Sequence, residues 1–76
     1  MLPAADAETL ARETNAEVVA AIGTLPRRQR EVVVLRYFLD MSEREIAAML
    51  GVSAGSVKQH ASRALSTLAT RLEAQA

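Results

Sequence analysis

Apolar positions in this chain recur at three- and four-residue steps, and they predict an all-α fold, a four-helix domain spanning residues 1–76. The first helix is predicted over residues 6–23. Its apolar stripe consists of Leu10, Val18, Ala21 and Ile22, followed by Leu25. We place a second helix over residues 26–39 and expect Pro26 to be its first residue, because the missing N–H of proline has no consequence there.

Residues 32–39 contain more apolar side chains than one face of a helix can bury. They are Val32, Val33, Val34, Leu35, Tyr37, Phe38 and Leu39, interrupted only by Arg36. A buried strand has a similar composition, but no second strand exists to pair with it, so a helix is favoured. The surplus indicates either burial among several helices or an exposed patch for a partner, and the pattern leaves both open.

Residues 42–73 predict two helices joined by a tight turn, without a winged element. Ser42 and Glu45 have the spacing of a capping box, Gly51 suits a left-handed helix end, and Ser53 can cap the next helix. The side chains expected to face inward are Ile46, Met49, Leu50, Val57, Ala61, Ala64, Leu65, Leu68 and Leu72. This is the pattern of a helix-turn-helix, whose second helix enters the major groove of DNA.

The outward face of the last helix carries side chains that suit DNA. Lys58 and Arg63 can bind phosphate or guanine, and Gln59 can pair with adenine. Ser53 and Ser56 lie at the positive helix N-terminus, where a phosphate is favoured. The predicted contacts on this helix are Ser53, Gly55, Ser56, Lys58, Gln59, His60, Ser62 and Arg63. A solvated polar face contains similar residues, so a plain helical hairpin stays possible.

The charge distribution predicts weak DNA binding. The net charge is zero, with −3 over residues 1–25 and +3 over residues 26–76, and no acid lies between Ser53 and Leu72. A modest basic face of this kind needs a partner or a second DNA contact.

The composition argues against enzymatic, metal-binding and membrane functions. The chain has no cysteine and one histidine, His60, with no nucleophile and base beside it, so we expect no enzymatic activity, no metal and no cofactor. No apolar run approaches the roughly 20 residues that span a bilayer. We expect a cytoplasmic, nucleoid-associated protein without a membrane or small-molecule partner.

The ordered combination of motifs over residues 25–65 resembles region 4 of bacterial RNA polymerase sigma factors, in particular the extracytoplasmic-function type. The motifs are Leu25-Pro26, Val34-Leu35-Arg36-Tyr37, Glu45-Ile46-Ala47, Leu50-Gly51-Val52-Ser53 and Gly55-Ser56-Val57-Lys58. The resemblance implies that the last helix reads the −35 promoter element. It also implies backbone contacts from Arg36 and Ser42.

The same resemblance implies that the apolar surface of the earlier helices docks on the flap of the RNA polymerase β subunit, or is covered by an anti-sigma factor. The residues predicted for this surface are Val32, Val33, Leu35, Phe38 and Leu39. Region 2 of such factors has no counterpart here, so we expect that these 76 residues alone cannot initiate transcription.

Two alternatives remain at this point. The output domain of LuxR-type response regulators shares much of the layout and fits His60 better, although Leu25-Pro26 and Arg36-Tyr37 fit it less well. A module that binds an anti-sigma factor or an activator, and no DNA, would explain the near-neutral charge and the apolar run.

Overall fold

The computed structural model describes residues 16–75, which form four helices and no strand. Helix α1 extends through residue 23, α2 is Arg27–Val33, α3 is Glu43–Leu50, and α4 is Ala54–Gln75. The predicted all-α fold class is confirmed. Residues 6–15 of the first predicted helix, including Leu10, lie outside the described residues.

Helix α2 changes pitch halfway along the predicted 26–39 segment. Pro26 occupies the N-cap (φ −53°, ψ 148°) rather than the first helical position. After Val33 the chain continues as a π-helical turn, Val34–Phe38, in which the Leu39 N–H donates to the Val34 carbonyl at 3.1 Å. A π turn holds an extra residue, so it rotates the following side chains relative to the core. The segment then ends at Asp40, whose φ of 54° is tolerated better by aspartate than by most residues.

The core consists of two buried clusters that meet at α2. The α1 cluster joins α1, α2 and α4, and the hairpin cluster joins α2, α3 and α4. The α1 cluster contains Ala21, Ile22, Leu25, Val33, Ala64 and Leu68. The hairpin cluster contains Val32, Ile46, Ala47, Val57 and Ala61. Burying a valine or isoleucine fully contributes about 1.5–3 kcal/mol, so these aliphatic contacts hold the hairpin on its scaffold.

Two side chains expected to face inward do not. Met49 is 62% exposed and Leu65 is 45% exposed, whereas Leu50 and Leu72 are half-buried. Both sit at the edge of an apolar stripe, where burial requires a further element to pack over the helix. Among residues 16–75 no element does so, and the two predictions are wrong.

Arginines from two other helices bind the C-terminal end of α1. Arg71 of α4 donates to the Thr24 hydroxyl, which itself donates to the Ala21 carbonyl at 2.6 Å. Arg30 of α2 reaches the Gly23 carbonyl at 3.5 Å. Cations are favoured at the negative end of a helix, so these contacts help to fix α1 against the rest of the fold.

Candidate nucleic-acid interface

Helix α3 begins with the capping box that the sequence predicts. The Glu45 N–H donates to the Ser42 hydroxyl oxygen at 3.1 Å, and the Ser42 N–H donates to the Glu45 carboxylate at 2.9 Å. The backbone hydrogen bond from Ser42, with a smaller contribution from its side chain, lowers the pKa of Glu45. The box fixes where α3 starts.

The turn between α3 and α4 is equally well defined. Gly51 ends α3 in the left-handed conformation, with φ 69°, and the Val52 N–H donates to the Ala47 carbonyl at 3.0 Å. The Ser53 hydroxyl oxygen then accepts from the Ser56 N–H at 3.0 Å. The predicted roles of Gly51 and Ser53 are confirmed, and together they set the direction of α4.

Helix α4 divides cleanly into an inner and an outer face. Val57, Ala61 and Ala64 are buried against the other helices. On the outer face Gly55, Lys58, Gln59, Ser62 and Arg63 are exposed, and Ser53 is exposed just before the helix. Ser56 and His60 are half-buried at the border. We call the α4 face the set of Ser53, Gly55, Ser56, Lys58, Gln59, His60, Ser62 and Arg63. It brings eight of the predicted DNA contacts onto one element.

The two remaining predicted DNA contacts lie on other elements. Arg36 belongs to the π turn and is half-buried, with its guanidinium carbon 5.7 Å from the centroid of the Tyr37 ring. Ser42 is exposed at the N-cap of α3, where its N–H and its hydroxyl oxygen are engaged by Glu45. The Ser42 O–H remains able to donate.

The predicted partner surface needs correction. Val32 and Val33 have 0% and 2% of their surface exposed, so they are core residues and cannot contact a partner in this fold. Leu35 is half-buried, whereas Phe38 and Leu39 are 56% and 61% exposed. Leu35 lies within the π turn and still packs against the hairpin cluster, whereas Phe38 and Leu39 lie at and just after the end of that turn.

Beside these residues lies a groove that the sequence did not reveal. We call it the apolar groove; it separates α2 and its π turn from the end of α3, and its volume is about 390 Å³. The lining residues are Arg30, Glu31, Val34, Leu35, Met49 and Leu50. The sequence indicated only one wall of this groove, through the apolar surplus of residues 32–39. The other wall was missed because Met49 was expected in the core.

The helices within residues 16–75 include none with the length and hydropathy that a membrane span requires.

Comparison with known proteins identifies the family. Residues 15–68 match the family model described as "Sigma-70, region 4". The chain is 48% identical over 59 residues to an "RNA polymerase sigma-E factor" of Streptomyces antibioticus, covering 78% of this chain and 33% of that protein. It is 41% identical over 70 residues to the protein of the same name from Streptomyces avermitilis, covering 92% and 39%.

A more distant relative gives the same result. The chain is 36% identical over 72 residues to "RNA polymerase sigma factor CnrH" of Cupriavidus metallidurans, covering 95% of this chain and 38% of that protein. The chain thus spans between 33% and 39% of the length of these three relatives. Of the two DNA-binding families that the sequence left open, these matches support the sigma factors and none supports the LuxR type. The chain belongs to the sigma-70 region 4 family.

Proposed function

We propose that this chain recognises the −35 promoter element by placing α4 in the major groove, as the DNA-reading part of a transcription initiation factor. The observation that carries the proposal is the α4 face. Its polar side chains are exposed together while the opposite side of the helix is buried, and no acid lies between Ser53 and Leu72. Membership in the region 4 family supports the same role.

Each residue type on the α4 face has a defined chemistry towards DNA. Gln59 and Ser62 are three residues apart and share one stripe of α4, where Gln59 can bind adenine and Ser62 either a base or a phosphate. Arg63 can bind guanine or a phosphate, and Lys58 binds a phosphate as a point charge. Gly55 has no side chain to hold α4 away from the DNA.

Residues outside α4 would contact the DNA backbone. In a helix-turn-helix the first helix crosses the backbone, and this docking would bring the exposed Ser42 O–H near a phosphate. Arg36 supplies a further cation from the π turn, where Tyr37 stacks beneath its guanidinium group. Contacts of this kind fix the register of the protein but carry no sequence information.

The apolar surface outside α4 supports a second part of the proposal, which is docking on RNA polymerase. Leu35 and Met49 line the apolar groove, and Phe38, Leu39 and Met49 are each more than half exposed. Large exposed apolar groups mark interaction sites. We propose that the β-subunit flap of RNA polymerase binds this surface and that an anti-sigma factor would compete for it.

The test begins with selection of duplexes from a randomised library, because the sequence read by α4 is unknown. Fluorescence anisotropy at two salt concentrations then compares the wild type with Lys58→Ala, Arg63→Ala and Arg27→Ala. We expect Arg63→Ala to weaken binding about tenfold and Lys58→Ala less, in line with base and phosphate contacts respectively. Arg27 is a matched control, because its side chain is 87% exposed and belongs to α2 rather than to α4.

Three results decide between the candidate functions. Loss of affinity in Lys58→Ala and Arg63→Ala, but not in Arg27→Ala, supports reading by α4. Equal effects of all three variants would mean that only total charge matters and would remove the sequence-reading role. Failure to select any duplex, with retention of a protein partner, would favour the interaction module, for which the exposed Phe38, Leu39 and Met49 are the supporting observation.

A further inference from the structure

The chain contains one class of readily oxidised side chain, the methionine thioether. It has three methionines and neither cysteine nor tryptophan. Peroxides convert the flexible, apolar thioether into a polar sulfoxide, and methionine sulfoxide reductases reverse the change. The effect of such a conversion depends on where each methionine lies in the fold.

The two methionines within residues 16–75 lie in contrasting environments. Met41 is half-buried and packs against the hairpin cluster, whereas Met49 is 62% exposed near the end of α3. Met1 lies outside the described residues. A small oxidant in solution therefore reaches Met49 more readily than Met41.

Met49 is also the exposed member of one wall of the apolar groove. Leu50, the other lining residue on α3, is half-buried, and the half-buried Val34 and Leu35 line the groove from the π turn. A sulfoxide oxygen at position 49 would add a hydrogen-bond acceptor to this apolar lining. Among residues 16–75, Met49 packs into neither buried cluster, so the added oxygen would change the groove and leave the core intact.

We propose that Met49 is a site of reversible oxidation to methionine sulfoxide, and that the sulfoxide lowers the affinity of the apolar surface for RNA polymerase. This loss of affinity rests on the proposed docking function, whereas the modification itself rests on the exposure of Met49. The pair would form a redox-sensitive switch on docking that leaves the DNA-reading helix untouched, because none of the residues lining the groove belongs to α4.

The oxidant is a hydroperoxide, and the step transfers one oxygen atom with two electrons. A lone pair of the Met49 sulfur attacks one peroxide oxygen, so that an S–O bond forms as the O–O bond breaks. With hydrogen peroxide, the proton of the transferred hydroxyl group passes to the leaving hydroxide, and water is released. The sulfur is oxidised and the peroxide is reduced, so the step needs no further reactant.

Mass spectrometry can measure the oxidation of each methionine separately, because each lies on a different tryptic peptide. The three peptides are residues 1–12, 37–44 and 45–58. In dilute hydrogen peroxide we expect Met49 of the folded chain to be oxidised several times faster than Met41. In concentrated urea the two rates should converge, because unfolding exposes both thioethers. Equal rates in the folded chain would overturn the proposed modification site.

The effect on docking is tested after limited treatment that oxidises Met49 before Met41. The peroxide is removed, and a labelled fragment of the β flap is titrated with the chain by fluorescence anisotropy. We expect oxidation to weaken flap binding about tenfold, as for a polar group buried without a partner. Methionine sulfoxide reductase should restore the affinity. DNA binding should not change, because the α4 face contains no methionine.

Three variants assign the effect to one methionine. Met49→Leu retains Met1 and Met41, so its flap affinity should be the same before and after peroxide treatment. Met41→Leu retains Met49 and should respond to peroxide as the wild type does. Met49→Gln places a polar amide in the groove and should weaken flap binding without any oxidation. Circular dichroism checks that each variant is folded.

The proposal is overturned if the oxidised chain binds the flap as tightly as the untreated chain, or if Met49→Leu loses affinity on treatment as the wild type does. Flap binding that is insensitive to oxidation removes this inference alone. An untreated wild type that binds no flap loses the docking function and the proposed switch with it. The oxidation rates still decide the modification site in that case, and the duplex titration decides the DNA-reading function.

Discussion

Gly51 and Gly55 lie four residues apart in the hairpin but have different conformations. Gly51 has a φ of 69°, which is strained for any residue with a Cβ atom. Gly55 lies within α4, and a Cβ atom there would meet only the Ser53 hydroxyl oxygen, at an ordinary 3.9 Å. The fold therefore requires glycine at position 51 and not at position 55.

Alanine substitutions at the two positions should move stability in opposite directions. We expect Gly51→Ala to lower the free energy of unfolding by about 1–2 kcal/mol, because alanine is strained in the left-handed region. Gly55→Ala should raise it by up to about 1 kcal/mol, because alanine has the higher helix propensity. Urea unfolding of both variants measures the difference, and equal effects would contradict the geometry described for the turn.

The capping box should make stability depend on pH. The pKa of Glu45 is lowered in the fold from its ordinary value of 4.5, so the box stabilises the folded state above that pH. This stabilisation is lost as the pH falls through the lowered pKa. Glu45→Gln preserves the hydrogen bonds of a capping box without titrating.

Thermal unfolding at about pH 7 and about pH 3 tests this prediction. We expect the melting temperature of the wild type to fall relative to that of Glu45→Gln as the pH is lowered. Glu73→Gln removes the same charge near the end of α4, outside any capping box, and is the control. Parallel behaviour of wild type and Glu45→Gln across this range would mean that the box contributes nothing measurable.

At the scale of elements, the boundary between core and surface falls within one apolar run. Val33 belongs to the α1 cluster, whereas Phe38, five residues later, is more than half exposed. Val33→Asp would bury an unpaired charge, a change that typically destabilises by more than about 4 kcal/mol and approaches the whole stability of a small domain. We expect Val33→Asp to unfold the chain, as measured by circular dichroism.

Phe38→Asp is the matched variant, and it should leave helicity and stability within about 0.5 kcal/mol of the wild type. It should also weaken binding of a partner that contacts the exposed apolar side chains Phe38, Leu39 and Met49. Unfolding of Phe38→Asp would show that the ring is part of the core and would remove it from the partner surface.

The sequence predicted the positions of the helices better than it predicted which side chains of each helix face the core. Gly51, the capping box and Pro26 mark helix ends through backbone chemistry that is local, and a local pattern can reveal it. Residues 32–39 are apolar except for Arg36, so their periodicity does not show which side chains face the core and which face solvent. The π turn then shifts the phase by one residue, and its position depends on packing that no local pattern records.

Met49 and Leu65 show the same limit of prediction from periodicity. Each lies where the apolar stripe of its helix meets the polar face, and periodicity alone assigns such border positions to the core. Their exposure depends on which other elements pack nearby. The α4 face, in contrast, was predictable because buried alanine and valine alternate with polar residues at clear helical spacing.

At the scale of the whole molecule, the balance of charge limits how tightly the chain can hold DNA. The α4 face contains Lys58 and Arg63, and Arg36 adds a third cation. With about 0.9 counterions released per phosphate, two or three contacts predict a slope of about −2 to −3 for log affinity against log salt. A zero net charge offers no additional long-range attraction.

Affinity measured over a range of salt concentrations checks this slope. Arg63→Ala should reduce its magnitude by about 1 if Arg63 contacts a phosphate, and should leave it unchanged if Arg63 contacts only a base. A wild-type slope much steeper than −3 would mean that arginines of α2 also touch the DNA. That result would contradict the assignment of α2 to the partner surface.

The most direct test of the central claim is an amide NMR titration of the chain with a duplex obtained by selection. If α4 reads the major groove, shift changes should concentrate at residues 53–63, with smaller changes at Ser42 and Arg36. Residues of the apolar groove, including Leu35 and Met49, should remain unperturbed. Shift changes centred on the groove, with the α4 face unaffected, would contradict the account.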